Sequence, residues 1–188
     1  LQTGGPPRRL LWPAAPAGAA AFRPVDLAAR ADGGLWLLDA GPDHCRVWSL
    51  NRQLDWLPLQ DQAASGEAVA DEVFAKFALA LPAKQAVALA ATDATAWVLD
   101  NHLVQGACGL WRVVEQIPPE RLETHALIDL LEAEAQAGFQ LHGHDLLALP
   151  DGRLLLVGQD GNQAFAFLPG LRNGQHVLDA LPEYRPLR

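Results

Sequence analysis

Three segments of the chain share one pattern of apolar and turn-forming residues, and this repetition is the strongest constraint on the fold. The segments cover residues 25–50, 86–114 and 144–168. Each reads as an apolar strand, a tight turn, a second apolar strand, a loop and a third strand. A short meander of this kind cannot bury both of its faces alone. The repetition therefore predicts an all-β protein in which several small sheets pack against one another.

The spacing inside the segments is repeated as well. Asp32 is followed seven residues later by Asp39, and Asp93 is followed seven residues later by Asp100. Each pair encloses an apolar run with a tryptophan at its centre. In the third segment, the place of the second aspartate is taken by Gly158. This common spacing predicts that the three segments fold in the same register.

The tryptophans in these runs are Trp36 and Trp97. Because they hold the same place between two aspartates, we predict that they lie at equivalent, buried positions in neighbouring sheets. The two cysteines, Cys45 and Cys108, also stand at equivalent positions of different segments. A disulfide between them is therefore not expected, and the sequence favours a reducing compartment.

Turn chemistry supports the assignment of strands. Asp-Gly pairs at 32–33 and 151–152 provide a glycine that reaches positive φ at little cost, as hairpin turns require. The second segment has Ala94 and Thr95 after Asp93 and so lacks the turn glycine. Asp26 and Asp145 stand at the start of the first strand in their segments, and Val87 takes that place in the second segment. A role in solvating the backbone is expected for these two carboxylates.

Charge and hydropathy exclude some classes of partner. The formal net charge is -8, and no stripe of Lys and Arg is present. Nucleic acid is therefore not an expected partner. No apolar run approaches the roughly 20 residues that a membrane-spanning helix needs. We expect a cytoplasmic location or a place in a larger particle, and secretion is left as an alternative.

The first segment resembles an NHL-type β-propeller repeat. The resemblance rests on residues 23–28, on the Asp-Gly turn and apolar strand of residues 32–39, and on the Arg-Val-Trp strand of residues 46–48. The second and third segments depart from it at the turn glycine and at Gly158, respectively. The resemblance covers about half of the chain. It implies blade-like units and a function in binding rather than catalysis.

A weaker resemblance concerns tail-like proteins of phages and contractile injection systems. Such proteins carry divergent repeats, and some of them close the region with a Tyr-Leu-Pro-Leu-Arg-like segment. Residues 182–188 look similar, with Arg185 as the departure. The resemblance implies a structural component of such an assembly.

The spacing of the segments predicts insertions between the units. We expect about three propeller-like blades, fewer than the 4–8 that close a typical ring, so more chain or another subunit would be needed. Pro118 and Pro119 open a stretch with leucines at helical spacing, which predicts one helical insertion over residues 119–137. The expected organisation is as follows: a leader or edge segment at 1–21, then a propeller-like domain at 22–188 with units near 22–60, 77–114 and 139–170.

Two groups of side chains are candidates for a metal site. His142 and His144 would point to one face of a strand, with Asp145 beside them. Their spacing resembles the first metal motif of metallo-β-lactamase-like hydrolases, but Asp145 follows directly where that family has a gap of one residue. A zinc site needs three or four ligands, so two polar residues lining a loop are the preferred interpretation.

Asp39 and Asp100 form the second group, because each ends an equivalent strand. In lactonase-like propellers, carboxylates at strand ends hold a central divalent cation, which makes a metal-dependent lactonase-type hydrolase the alternative function. The preferred interpretation is that each aspartate accepts backbone N–H bonds in the following turn, since turn chemistry recurs in repeats.

The sequence favours a non-catalytic binding or assembly module. We predict no catalytic residues, no cofactor and no resident metal, because no base, nucleophile and orienting group occur together. Other protein subunits are the expected partners. Trp12 and Trp56 lie outside the repeated strands, and this makes them the candidates for an interface.

Overall fold

The computed structural model confirms the all-β prediction. It describes residues 12, 18, 20–59, 77–104, 107–115, 117–123, 142–159, 163–172 and 175–180. Apart from one helical residue at Phe77, the elements within these residues are β-strands, and the strands form three antiparallel sheets. No helix among the described residues is long and apolar enough to cross a membrane.

The first sheet is a meander whose outermost strand is split in two. Its strands are β1 (Pro24–Ala29), β2 (Leu35–Gly41), β3 (His44–Leu50), β4 (Trp56–Leu57) and β5 (Ala78–Ala80). Strands β1, β2 and β3 follow one another, and both β4 and β5 pair with the far edge of β3.

The position of β5 corrects the predicted boundary of the second unit. Residues 78–80 were assigned to the unit at 77–114, but they complete the first sheet. Strand β4 pairs with only Ser49 and Leu50, which leaves the backbone groups of residues 46–48 without a neighbouring strand. Strand β5 supplies that neighbour, as buried backbone groups require.

The second and third sheets are four-stranded meanders. The second consists of β6 (Ala86–Thr92), β7 (Thr95–Val104), β8 (Ala107–Val114) and β9 (Ile117–Glu123). The third consists of β10 (His142–Ala148), β11 (Leu154–Gln159), β12 (Gln163–Arg172) and β13 (Gln175–Ala180). Both extend beyond the units predicted at 77–114 and 139–170.

Strand β9 shows that the predicted helical insertion was wrong in its first five residues. Residues 119–123 belong to β9 and pair with β8, whereas residues 124–137 lie outside the described part of the chain. Strand β9 is the outermost strand of its sheet, where proline is tolerated because one edge needs no partner. Pro118 and Pro119 fall where the register between the two strands shifts.

The strand pairing confirms that the three segments fold in one register. Asp39 lies opposite Pro24, Asp100 lies opposite Ala86, and Gly158 lies opposite Gly143. A register irregularity follows at the same point of each first strand, across residues 24–26, 86–88 and 143–145. A β-bulge of this kind re-aims the residues around it.

The shared register also corrects one equivalence. Asp26 pairs with Leu38 and Asp145 pairs with Val157, each one step beyond the bulge. In the second sheet this step is occupied by Ala88, not by Val87 as the sequence spacing suggested. Val87 falls within the irregularity, which adds a residue that spacing alone does not reveal.

The two tryptophans are equivalent and buried, as predicted. Trp36 lies opposite Ala28 and Trp97 lies opposite Ala90, at the same step of their sheets. Both side chains are almost wholly removed from solvent. The indole N–H of Trp97 donates to Thr92 Oγ1 at 2.8 Å.

Apolar layers hold the sheets together in chain order. One layer lies between the first and second sheets and includes Trp36 and Trp111. Another lies between the second and third sheets and includes Trp97. Cys45 belongs to the first of these layers and Cys108 to the second, and neither is in a disulfide. The described sheets therefore form a stack in which the second is covered on both faces.

Candidate functional site

Asp39 lies near the end of β2, and its carboxylate is fully buried. Its Oδ1 accepts the backbone N–H of Arg23 at 2.7 Å and lies 2.9 Å from His44 Nε2. Its Oδ2 lies 2.7 Å from Arg46 Nη2. A buried carboxylate is tolerated when it is paired and hydrogen-bonded in this way.

Asp100 is the equivalent carboxylate in the second sheet and is also fully buried. Its Oδ1 accepts backbone N–H groups from Gln85 and His102, both at 3.0 Å. Its Oδ2 accepts the indole N–H of Trp111 at 3.1 Å and the guanidinium of Arg121 at 2.6 Å. Every oxygen of this side chain is therefore occupied by a protein donor.

The arginine that neutralises each aspartate comes from a different strand. Arg46 lies opposite Asp39 on β3, and the residue opposite Asp100 on β8 is Gly109. A Cβ at Gly109 would lie 2.7 Å from the guanidinium of Arg121, which reaches across from β9. The second sheet thus keeps the ion pair with an arginine moved to the neighbouring strand.

These contacts assign Asp39 and Asp100 a structural role. Each accepts the N–H of the residue that precedes the first strand of its own sheet, Arg23 or Gln85. The prediction placed such donors in the turn that follows each aspartate; only Asp100 receives an N–H from a following residue, His102, which still belongs to β7. The two carboxylates lock the bulged ends of their sheets.

The other candidate metal ligands are separate from this pair. The side chains of His144 and Asp145 are exposed on β10, and Asp145 Oδ1 accepts the N–H of Leu146 at 2.8 Å. The side chain of His142 lies outside the described part of the structure. Among the side chains that are described, no three His, Cys, Asp or Glu come together in a way that could hold a metal ion.

A cleft of about 290 Å³ opens between the first and second sheets beside Asp39. Its wall includes Arg23, Lys84, His44 and Cys45. Burial raises the pKa of the Cys45 thiol to about 12, and the negative charges of Asp100 and Asp39 act in the same direction. The thiol therefore stays protonated near neutral pH and is a poor nucleophile.

Asp26, which follows the bulge in β1, links the first sheet to the second. Asp26 Oδ1 accepts the N–H of Leu27 at 2.7 Å, and Asp26 Oδ2 accepts the N–H of Leu89 on β6 at 2.8 Å. Strand β6 is the edge strand of its sheet, so this N–H has no neighbouring strand to bond to. One side chain thus satisfies two backbone donors across the sheet boundary.

Asn101 forms the corresponding link between the second and third sheets. Its Oδ1 accepts the N–H of Gly143 at 2.7 Å, and its Nδ2 donates to the carbonyl of the same residue. A Cβ at Gly143 would lie 2.4 Å from Leu99 Cδ2. Glycine is needed here because the third sheet approaches the second too closely for a side chain.

A third link joins the opposite ends of the first two sheets. The guanidinium of Arg30 contacts both Ser49 Oγ and the carboxylate of Glu115. It also lies over the Trp36 ring, 5.0 Å from the ring centroid. The first two sheets are therefore joined by polar contacts at both ends of the buried layer.

On β10 and β11, the third sheet leaves the face that carries Leu147 and Val157 open to solvent. Leu147 is 55 % exposed and Val157 is 39 % exposed, and Asp145 lies on the same face, because it is paired with Val157. By register, this face corresponds to the face of the first sheet that carries Trp36 and packs against the second sheet. The open face therefore has the register of an internal packing surface, and none of the described sheets covers it.

The opposite end of the stack carries the two predicted interface residues. Trp12 and Trp56 are half-buried in an aromatic cluster with Phe22 and Trp48, which covers part of the outer face of the first sheet. The rings of Trp12 and Trp48 meet edge to face, with centroids 5.5 Å apart. The cluster supports the first sheet, and its outer surface remains partly accessible.

Sequence reasoning missed the residues that join the sheets. Arg121 lies inside the stretch that the leucine spacing assigned to a helix, and the sequence pattern did not predict that Asn101 joins two sheets. The sequence does contain a signal for Arg121. Gly109 stands where the first segment has Arg46, so Asp100 needs a cation from another strand. Leu147 and Val157 carried no signal, since their exposure depends on which sheet faces are covered.

No protein-family model and no curated protein matches this chain. The functional argument therefore rests on the geometry of the sheets and their surfaces.

Proposed function

We propose that this chain is a protein-binding assembly module, built from blade-like units of an incomplete β-propeller related to the NHL type. The observation that carries the proposal is the open face of the third sheet. Exposed apolar residues that cluster on one face mark interaction sites more often than isolated ones do. A role as a structural component of a phage tail-like or contractile injection assembly is the special case that the sequence resemblance favours.

The open face supports binding because its counterpart is buried. The same steps of the first sheet, occupied by Trp36 and Leu38, are wholly covered by the second sheet. In the third sheet the corresponding residues are less covered, since Leu155 is half-buried and Val157 is exposed. Covering this face with another protein removes apolar surface from water, which is favourable by about 25 cal/mol for each Å².

The buried carboxylates support binding over hydrolysis. Asp39 and Asp100, which would have to supply ligands to a central cation in a lactonase-type propeller, are each neutralised by an arginine. Taking either one as a metal ligand would require breaking a buried ion pair, which is costly. The two ion pairs therefore favour a binding module over a metal-dependent hydrolase.

Photo-crosslinking tests the proposal directly. A photoreactive phenylalanine analogue would replace Leu147, and the control would carry it at Leu54, an exposed leucine in the loop after β3. In cells of the source organism, we expect position 147 to crosslink to protein and position 54 to give little product. Equal or absent crosslinking at the two positions, together with metal-dependent hydrolysis of a lactone by the purified chain, would contradict the proposal.

A further inference from the structure

We infer that the cleft between the first and second sheets binds a small organic dianion, namely a dicarboxylate with a short aliphatic chain. The cleft has a volume of about 290 Å³, close to the roughly 300 Å³ at which small-molecule sites begin. It lies beside the starts of β1 and β6, away from the open face of the third sheet. The inference therefore adds a ligand site to the proposed binding module and does not depend on that proposal.

The described wall of the cleft is positively charged, although the chain as a whole has a net charge of -8. Arg23 directly precedes β1 and Lys84 precedes β6 by two residues, so each sheet contributes one cation. No Asp or Glu is among the described residues that line the cleft. A cleft lined by charges of one sign concentrates ligands of the opposite sign.

Both cations are open to a ligand. Among the described residues, neither the guanidinium of Arg23 nor the ammonium of Lys84 has a hydrogen-bond or ion-pair partner. The buried carboxylate of Asp39, beside the cleft, is already neutralised by Arg46. Two positive charges therefore remain for the ligand, and a guanidinium can bind a carboxylate through two parallel N–H bonds.

Contacts within the protein hold the walls of the cleft in place. Asp39 Oδ1 lies 2.9 Å from His44 Nε2 and accepts the backbone N–H of Arg23 at 2.7 Å, so one carboxylate positions two residues of the wall. On the side of the second sheet, Asp100 Oδ1 accepts the N–H of Gln85 at 3.0 Å. A site that is formed before the ligand arrives loses less free energy to ordering when the ligand binds.

The rest of the described wall is largely apolar. Val25 and Val87 lie within the register irregularities of the two first strands, and the wall also includes Ala40, Ala83 and Ala86. Apolar surface of this kind favours an aliphatic group over a hydrated inorganic ion. The ligand that fits both parts of the wall has two carboxylates for the cations and a short aliphatic chain between them.

A chemical-shift titration of the full chain by NMR tests the site, with glutarate as the probe. Glutarate should bind, and the largest shifts should fall on backbone N–H groups of residues 40–45 and 83–87. Cadaverine has a chain of similar length and the opposite charge, so it should not bind. Inorganic phosphate should bind more weakly than glutarate, because it has no aliphatic part to contact the valines.

Removing either cation should weaken the binding of glutarate. Arg23→Gln and Lys84→Gln should each raise the Kd about fivefold or more, as expected for a lost charge-assisted hydrogen bond at an exposed cation. Arg52→Gln removes an exposed cation beyond the far end of β3 and should leave the Kd unchanged.

Val25→Asp and Leu27→Asp form a matched pair on β1. Both replace an exposed apolar side chain and change the net charge equally, but Val25 lines the cleft and Leu27 does not. Val25→Asp should raise the Kd for glutarate by at least about tenfold, because it places a negative charge against the ligand. Leu27→Asp should bind like the wild type, and circular dichroism would verify that both variants are folded.

The inference is overturned if glutarate does not bind, if cadaverine or phosphate binds as tightly, or if Val25→Asp and Leu27→Asp have equal effects. Tighter binding of a tetraglutamate peptide than of glutarate would assign the cleft to a protein ligand and would also overturn it. Crosslinking from position 147 concerns a different surface, so its result tests the proposed function alone.

Discussion

Asp100 illustrates how one residue can serve three strands and the loop before the sheet. Its oxygens collect donors from Gln85 before β6, His102 on β7, Trp111 on β8 and Arg121 on β9. A side chain with this many buried donors is difficult to replace, because each donor left unpaired carries a desolvation cost.

Replacing Asp100 by Asn tests this role. The amide keeps the shape of the side chain, but it removes the negative charge opposite Arg121 and presents a donor where an acceptor is needed. We expect the free energy of unfolding, measured by urea denaturation, to fall by about 3–5 kcal/mol, as for other broken buried ion pairs. Asp151→Asn changes an exposed ion pair with Arg153 and serves as the control. An equal effect of the two substitutions would contradict the account.

The cysteines provide a second test at the residue scale. Burial raises the pKa of Cys45 to about 12 from its ordinary value of 9.0. In the unfolded chain the thiol ionises near 9.0, so the folded state is favoured fully below that pH and loses stability as the pH rises towards 12. Iodoacetamide at pH 8 should leave the native protein unmodified, and intact-mass measurement should find two alkyl groups after denaturation. Rapid alkylation of Cys45 in the native protein would show that the thiol is accessible.

Among the elements, the first strands determine how closely the sheets pack. Each contains a bulge at the same register step, and two of the three polar links described above start from or next to it. Asp26 links β1 to β6, and Asn101 links β7 to Gly143 on β10. The bulge therefore serves packing between sheets, in addition to bending its own strand.

Gly143→Ala tests the close approach of β10 to the second sheet. Its Cβ would lie 2.4 Å from a methyl group of Leu99, so the substitution overfills the layer. We expect a loss of about 1–3 kcal/mol in the free energy of unfolding. In the background Leu99→Ala, where the methyl groups are absent, adding Gly143→Ala should cost much less. Additive effects in this double-mutant cycle would show that the two residues do not interact.

The repeated hairpins could be predicted from the sequence, but the outermost strands of the sheets could not. The turns, the register of Asp39 and Asp100, and the burial of Trp36 and Trp97 follow from local spacing, because hairpins are built from neighbours in the chain. Strand β5 and strand β9 depend on which sheet edge lacks a partner, which spacing does not encode. The leucines after Pro119 are spaced as in an amphipathic helix, but residues 119–123 pair as a strand.

The candidate site could be predicted only in part. Turn chemistry suggested a structural role for the two buried aspartates, and the structure gives them that role with donors from other strands. The open face was foreseen in general, from the small number of units, but not its residues. The exposure of the Leu147 and Val157 side chains depends on the order in which the sheets stack. That order is a property of the whole chain and cannot be read from local spacing.

For the whole molecule, the described sheets form a stack with different ends. One end is partly covered by aromatic rings around Trp48, and the other presents Leu147 and Val157 to solvent. Repeat proteins need capped ends to remain soluble as monomers. An uncapped end is therefore the place where this molecule is expected to meet its partner.

Hydroxyl-radical footprinting tests this central claim most directly, because it measures the solvent exposure of individual side chains. The chain would be labelled as isolated from its native source and again after dilution to a monomer. The account predicts that Leu147 and Val157 are protected in the native preparation and become reactive in the monomer, whereas Leu54 reacts equally in both. Equal reactivity of Leu147 in the two samples would contradict the claim that the open face of the third sheet binds protein.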